Sequence, residues 1–156
     1  MSGSMPMKTK LHLAKPDDLP KLLTMVESFQ TEFGIEMDSD TRLAGVAPLL
    51  EGNPLGVIYI IGPRNAPVGY IAISFGWSIE LGGIDGVVDE FWIRPAVRNK
   101  GMGSEALSAL IPALRDAGVK ALHMEVDRDS PVSALYARLG FAKRDRYCLM
   151  TAELGR

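Results

Sequence analysis

Residues 91–104 read Phe-Trp-Ile-Arg-Pro-Ala-Val-Arg-Asn-Lys-Gly-Met-Gly-Ser, an apolar run that passes through a proline into a glycine-containing turn at a helix start. A turn of this kind can cradle an anion. The first N–H groups of a helix lack intrahelical partners and carry partial positive charge, and Gly101 and Gly103 let a diphosphate come close to the backbone. Arg98 and Lys100 add cationic donors at the rim. The spacing is neither that of a P-loop, which needs Gly-Lys-Ser/Thr, nor that of the Gly-x-Gly-x-x-Gly fingerprint. Just upstream, Asp89 and Glu90 interrupt the apolar strand 87–93, where unpaired carboxylates are costly to bury. Successive strand side chains point to opposite faces, so Asp89 is the acid expected beside Phe91 and Ile93. It is the first candidate for a base or water-positioner and Glu90 the second, with an ion pair to a nearby Arg as the structural alternative for either. A third group, Glu32, Glu36, Asp38 and Asp40, falls within residues 31–41, a stretch without a basic residue. Such an acidic lip attracts cations, although a solvated acidic loop has the same composition.

The elements that must position these groups follow from periodicity and punctuation. Residues 10–14 alternate as an edge strand, and Pro16-Asp17-Asp18 opens a helix with a stripe of Leu19, Leu22, Leu23, Val26, Phe29 and Phe33 that ends near Gly34. A weaker helix is expected over 40–50, then a hairpin of strands 57–61 and 68–75, a turn at Gly82-Gly83 and the strand 87–93. Trp77 to Glu80 could extend that hairpin or line a cleft. The glycine turn feeds a helix that runs to about Ala117, with Pro112 expected to kink it and Gly118 to close it. A strand over 121–126, a short helix over 130–139 with Pro131 at its first position, and a final strand over 144–154 complete the chain. The order β-α-α-β-β-β-α-β-α-β implies an α/β (α+β) fold: a mixed, mostly antiparallel sheet with helices on both faces.

Composition narrows the chemistry. The 156 residues are 47% apolar, enough for one domain with a real core, expected over residues 8–156 with 1–7 as a tag or disordered start. A single Cys and two separated His make a metal site improbable, and no metal is expected. Cys148 has no neighbouring His, which argues against a nucleophilic role. A net charge of −2 disfavours a nucleic-acid partner, and no apolar run spans a bilayer. With no secretory signal, a cytoplasmic location is expected. The apolar last strand needs a neighbour or a partner chain on its edge, which leaves a homodimer open.

Arg98-x-x-Gly101-x-Gly103, after an apolar strand and a Pro, resembles the acyl-CoA diphosphate signature of the GNAT superfamily of acetyl-CoA-dependent N-acetyltransferases. A second segment, Asp129-x-x-Val132-x-x-Leu135-Tyr136-x-x-Leu139-Gly140-Phe141, is similar to the family's later motif Asn-x-x-Ala-x-x-Leu-Tyr-x-x-x-Gly-Phe. Both occur in the family's order over roughly residues 58–154. Asp129 stands where the family usually has Asn, Val132 where it has Ala, and Asn99 where it often has Gly.

The resemblance implies that strand 87–93 splays from strand 121–126 and that acetyl-CoA is the acyl donor. Arg98, Asn99, Lys100, Gly101, Met102, Gly103 and Ser104 would hold its diphosphate, with Phe91, Ile93 and Asp129 along the pantetheine arm. A primary amine would attack the thioester directly in a ternary complex, an N–H near Phe91 would meet the developing oxyanion, and Tyr136 would protonate the thiolate. On pattern alone, Tyr136 lies on the apolar stripe of its helix and reads as a core residue; the catalytic role is what the resemblance implies. The family places acceptor specificity between the first two helices, so Glu32, Glu36 and Asp38 point to a small cationic amine. The alternatives are a protein Lys or N-terminal amine acetyltransferase and a non-catalytic acyl-CoA-binding module.

Overall fold

The computed structural model describes residues 9–130 and 133–155, which divide into two compact units meeting at Glu125/Val126. In the first unit, β1 (Leu11–Leu13) leads through a short 3-10 turn at Pro16–Asp18 into α1 (Leu19–Glu32), followed by α2 (Ser39–Leu50), β2 (Gly56–Ile61), β3 (Gly69–Ser78) and β4 (Gly83–Ile93). A second 3-10 turn, Pro95–Val97, precedes α3 (Met102–Asp116), and β5 (Val119–Met124) closes the unit. The five strands form one sheet in sequence order, with β1 to β4 antiparallel and β5 parallel to β4 across the α3 crossover.

The helices form where the apolar stripes predict them. Leu22, Met25 and Val26 of α1 are buried with Val46 and Leu50 of α2 against Ile58, Ile60, Tyr70, Ala72 and Trp92. Phe33, expected on the α1 stripe, instead follows the helix as its C-terminal cap and is 61% exposed. Gly34 then turns the chain with a left-handed φ of 69°. On α3, Ala106, Leu107, Leu110 and Leu114 are buried, and the helix runs unbroken through Pro112. Beside Gly103, a Cβ would meet the Phe91 ring at 3.2 Å, so the face carrying Phe91 and its cross-strand partner Ile71 is the one α3 covers.

Strand β4 departs from the expected regularity in two ways. It begins at Gly83, four residues early, because Trp77 pairs with Ile84 and Ser78 with Gly83, so the residues around Trp77 extend the hairpin. It also carries a bulge: Glu90 lies opposite Ala72 and Val88 opposite Ile73, which leaves Asp89 as the extra residue. A bulge breaks the alternation of faces. Above it, Glu90 and Trp92 share the α1/α2 face with Tyr70 and Ala72, whereas below it Val88 pairs with Ile73 on the other face. Pairing with β5 stops at Val88↔Met124, so residues 89–93 have β3 as their one strand neighbour, as the expected splay requires.

In the second unit, α4 (Ser133–Arg138) forms with Gly140 beyond it at a φ of 98°. The expected Pro131 start and Val132 lie outside the described residues. The final strand over 144–154 is not formed: its described residues belong to no ladder. Alternation prepares a segment for a sheet but supplies no partner, and an unpaired strand is not stable in water. Tyr147, Leu149, Met150 and Leu154 are accordingly exposed.

Candidate active site

The anion cradle is built at the end of β4. After Ile93, Arg94 N–H donates to the Val68 carbonyl at 2.7 Å, tying the chain to the start of β3 before it turns. Arg98 is extended, Asn99 adopts a left-handed φ of 64°, and Gly101 caps α3 at a φ of 81° without a side-chain cap. Left-handed geometry at 101 suits Gly, and Asn is among the few other residues that tolerate it. The helix thus starts with its first N–H groups unclaimed by any side-chain cap, and no atom lies within 4 Å of where a Cβ on Gly101 would sit. These features fit a diphosphate. Lys100 and Gly101 are exposed, while Met102, Gly103 and Ser104 are half-buried. The one acid of the first turn, Glu105, is engaged by Thr9, whose N–H and hydroxyl donate at 3.0 and 3.1 Å.

The bulge gives the two acids of β4 different surroundings. Asp89, the first candidate, is exposed, and the bulge interrupts the alternation on which its facing was argued. Glu90 is half-buried and accepts a hydrogen bond from the Tyr70 hydroxyl at 2.8 Å. Burial pushes the Glu90 carboxyl above the ordinary carboxylate range; the Tyr70 bond opposes this and the charge of Asp89 adds to it. Tyr70 is completely buried, its ring 6.5 Å from Trp92 and 6.4 Å from Phe29. Burial and then the neighbouring Glu90 charge raise its phenol well above the usual range, so it remains a donor. Tyr70 escaped the sequence reading because it looks like any core residue of an apolar strand; its bond to Glu90 is visible only across the strand pair.

The acidic lip is partly spent on structure. Asp38 caps α2 by accepting the Thr41 N–H at 2.7 Å, which holds its carboxyl below the usual range. Glu32 accepts from Arg98 and Trp92. Glu36 and Asp40 are exposed. In the second unit, Asp129 is exposed and its N–H donates to the Asp127 carboxylate at 2.9 Å. Tyr136 is half-buried, edge-on to Phe141 at 5.9 Å, and burial raises its phenol above the usual range. Among the described residues, no group of three or more His, Cys, Asp or Glu is placed to hold a metal, and no helix is long and apolar enough to cross a membrane.

Known proteins place this arrangement in a class. The model of the Acetyltransferase (GNAT) family matches residues 22–141, and the chain belongs to that family. Acetyl-CoA is the acyl donor of the class. The integron cassette protein HFX_CASS3, from the mobile metagenome of Cole Harbour Salt Marsh, is 33% identical with a TM-score of 0.81, over 94% of this chain and 91% of its own. A predicted acetyltransferase with acetyl-CoA from Clostridium acetobutylicum superposes with a TM-score of 0.72 at 18% identity, over 92% and 96% of the two chains. The aminoglycoside acetyltransferase HMB0005 from an uncultured soil metagenomic sample also reaches 0.72, at 16% identity over 96% of this chain and 100% of its own. No curated protein matches the chain significantly.

Proposed function

We propose that the protein transfers the acetyl group of acetyl-CoA to a primary amine of a small cationic acceptor, by direct attack in a ternary complex. The observation that carries this reading is Glu90, a half-buried carboxylate held by Tyr70 on the part of β4 that β5 leaves free, one strand end away from the glycine turn. Acetyl-CoA supplies a thioester carbonyl as electrophile. Unpaired N–H groups at the start of α3 and the Lys100 ammonium bind the diphosphate, and the free backbone of residues 91–93 aligns the pantetheine arm.

An alkylamine with a pKa near ~10.4 is neutral about once in a few thousand molecules at pH 7, so a base raises the rate by supplying the reactive form. Glu90, made more basic than an ordinary carboxylate by burial, takes the ammonium proton in its carboxylate form, directly or through water. Tyr70 fixes the carboxylate while it does so. An N–H near Phe91 meets the negative charge that develops on the carbonyl oxygen. Tyr136 gives its proton to the departing thiolate. Glu36 and Asp40 draw the cationic acceptor toward the loop between α1 and α2. The aminoglycoside-acetylating neighbour supports a polyamine-like or aminoglycoside-like acceptor.

Free-thiol release from acetyl-CoA against polyamines, aminoglycosides, amino acids and Lys peptides tests the reading. Release that depends on a small polycation and collapses in Glu90→Gln is expected. Release with Lys peptides alone would transfer the activity to protein acetylation, and CoA binding without release to any amine would leave a non-catalytic module.

A further inference from the structure

Glu32 and Arg98 are 66 residues apart in the chain and joined by two prongs: Arg98 Nη1 donates to Oε2 at 2.9 Å and Nη2 to Oε1 at 2.6 Å. The same carboxylate accepts the indole N–H of buried Trp92 at 3.2 Å. On its other edge, Arg98 Nε donates to the Ile93 carbonyl at 2.8 Å. The contact therefore ties the last residue of α1 to the last two residues of β4 and to the first residue of the glycine turn. A guanidinium has five N–H donors, and three of Arg98's are used here. These bonds hold the Glu32 carboxyl below its ordinary range, so the pair is charge-neutral.

We propose that Glu32 is a positioning residue for the acyl donor: it holds Arg98 as a strut behind the turn 98–101, and it is not an anchor for the acceptor. The inference rests on the reading of that turn as the diphosphate site. A guanidinium whose charge is matched by a carboxylate attracts a diphosphate weakly, so the attraction falls to the N–H groups at the start of α3. Those groups converge only while Asn99 and Gly101 keep their left-handed conformations. Asn99 tolerates that conformation but does not enforce it as Gly101 can, and the residue before it is the one pinned on both edges.

Three roles for Glu32 give different signs. If Arg98 gripped the phosphates itself, Glu32 would compete with them, and removing its charge would tighten CoA binding. If Glu32 held the acceptor, only the acceptor KM would rise. If the pair is a strut, removing the charge weakens CoA binding and spares the acceptor KM. The experiment is calorimetric titration of CoA into wild type, Glu32→Gln, Arg98→Gln and the double variant, with the KM of acetyl-CoA and of the amine measured in parallel. About a tenfold loss of CoA affinity is expected for Glu32→Gln, with the double variant no weaker than Arg98→Gln alone. The melting temperature should scarcely move, because a half-exposed pair adds little stability, and this separates lost positioning from lost folding. Glu32→Asp, which keeps the charge one methylene back, should recover part of the affinity. Unchanged or tighter CoA binding in Glu32→Gln, a raised amine KM without a CoA effect, or no recovery in Glu32→Asp overturns the strut. CoA binding by a wild type that acetylates no amine defeats the proposed reaction and leaves this test intact, whereas a wild type that does not bind CoA defeats both.

Discussion

Residues 84–88 of β4 pair with strands on both sides, and among the described residues, 89–93 pair with β3 alone. The first half has its backbone donors and acceptors used on both sides and carries Gly86, Val87 and Val88, residues with nothing to offer a substrate. The second half begins with a bulge, has one edge without a strand, and carries Glu90, Trp92 and Ile93, each bonded to a side chain of another element. The change occurs within a single residue. A sheet that stops pairing has spare backbone groups for a ligand, and a bulge at that point re-aims the side chains beyond it. Chemistry on this strand is expected above Asp89 and structure below it.

Activity should divide along that line. The largest effect is expected from Glu90→Gln, which keeps an acceptor for the Tyr70 hydroxyl while removing the base: kcat/KM should fall by about 100- to 10,000-fold. Stability should change in the opposite sense. The Glu90 carboxyl is raised in the folded protein, so its ionisation opposes folding at pH values above its folded pKa, and that cost disappears as pH falls below the ordinary value of 4.5. Glu90→Gln should therefore melt no lower than wild type at pH 7, and lower melting would break the argument.

Next comes a backbone test of the upper half. Gly69 lies opposite Ile93, and a Cβ there would collide with the Trp92 carbonyl oxygen. Gly69→Ala should cost about 1 to 3 kcal/mol by denaturant melt and weaken CoA binding with it, since it pries β3 from the end of β4. A smaller shift is expected in the pH profile. Transfer by ionised Glu90 puts the acid limb of kcat/KM above the ordinary carboxylate range, and Asp89→Asn should move that limb down by removing the neighbouring charge. The smallest effect belongs to the lower half, where Asp85 lies 3.3 Å from His123 in a half-exposed pair. His123→Gln should leave kcat/KM within about twofold and the melting temperature nearly unchanged, as exposed pairs contribute about 0 to 1 kcal/mol.

Local signals carried far. The stripe through Leu22 and Val26, the turn at Gly82-Gly83 and the run from Ile93 through Pro95 to Gly101 were readable because each is decided within a few residues. What depended on other parts of the chain was not. Alternation treated residues 87–93 as regular because nothing within them marks the bulge at Asp89, which shows only in the register with β3. Glu32 read as part of an acidic lip because its basic partner lies in another element. Residues 144–154 have a strand's composition, but a ladder needs a second edge that no pattern within them can supply.

The two tryptophans of this chain, Trp77 and Trp92, occupy opposite environments: one is 70% exposed at the hairpin tip, the other 5% exposed with its indole N–H on Glu32. Water quenches and red-shifts the first, and the second emits from a buried setting in which its indole N–H meets the carboxylate that grips Arg98. A Trp77→Phe protein therefore carries one built-in fluorophore wired to the donor side of the site, and its emission turns loading of that side into an optical signal with no label attached.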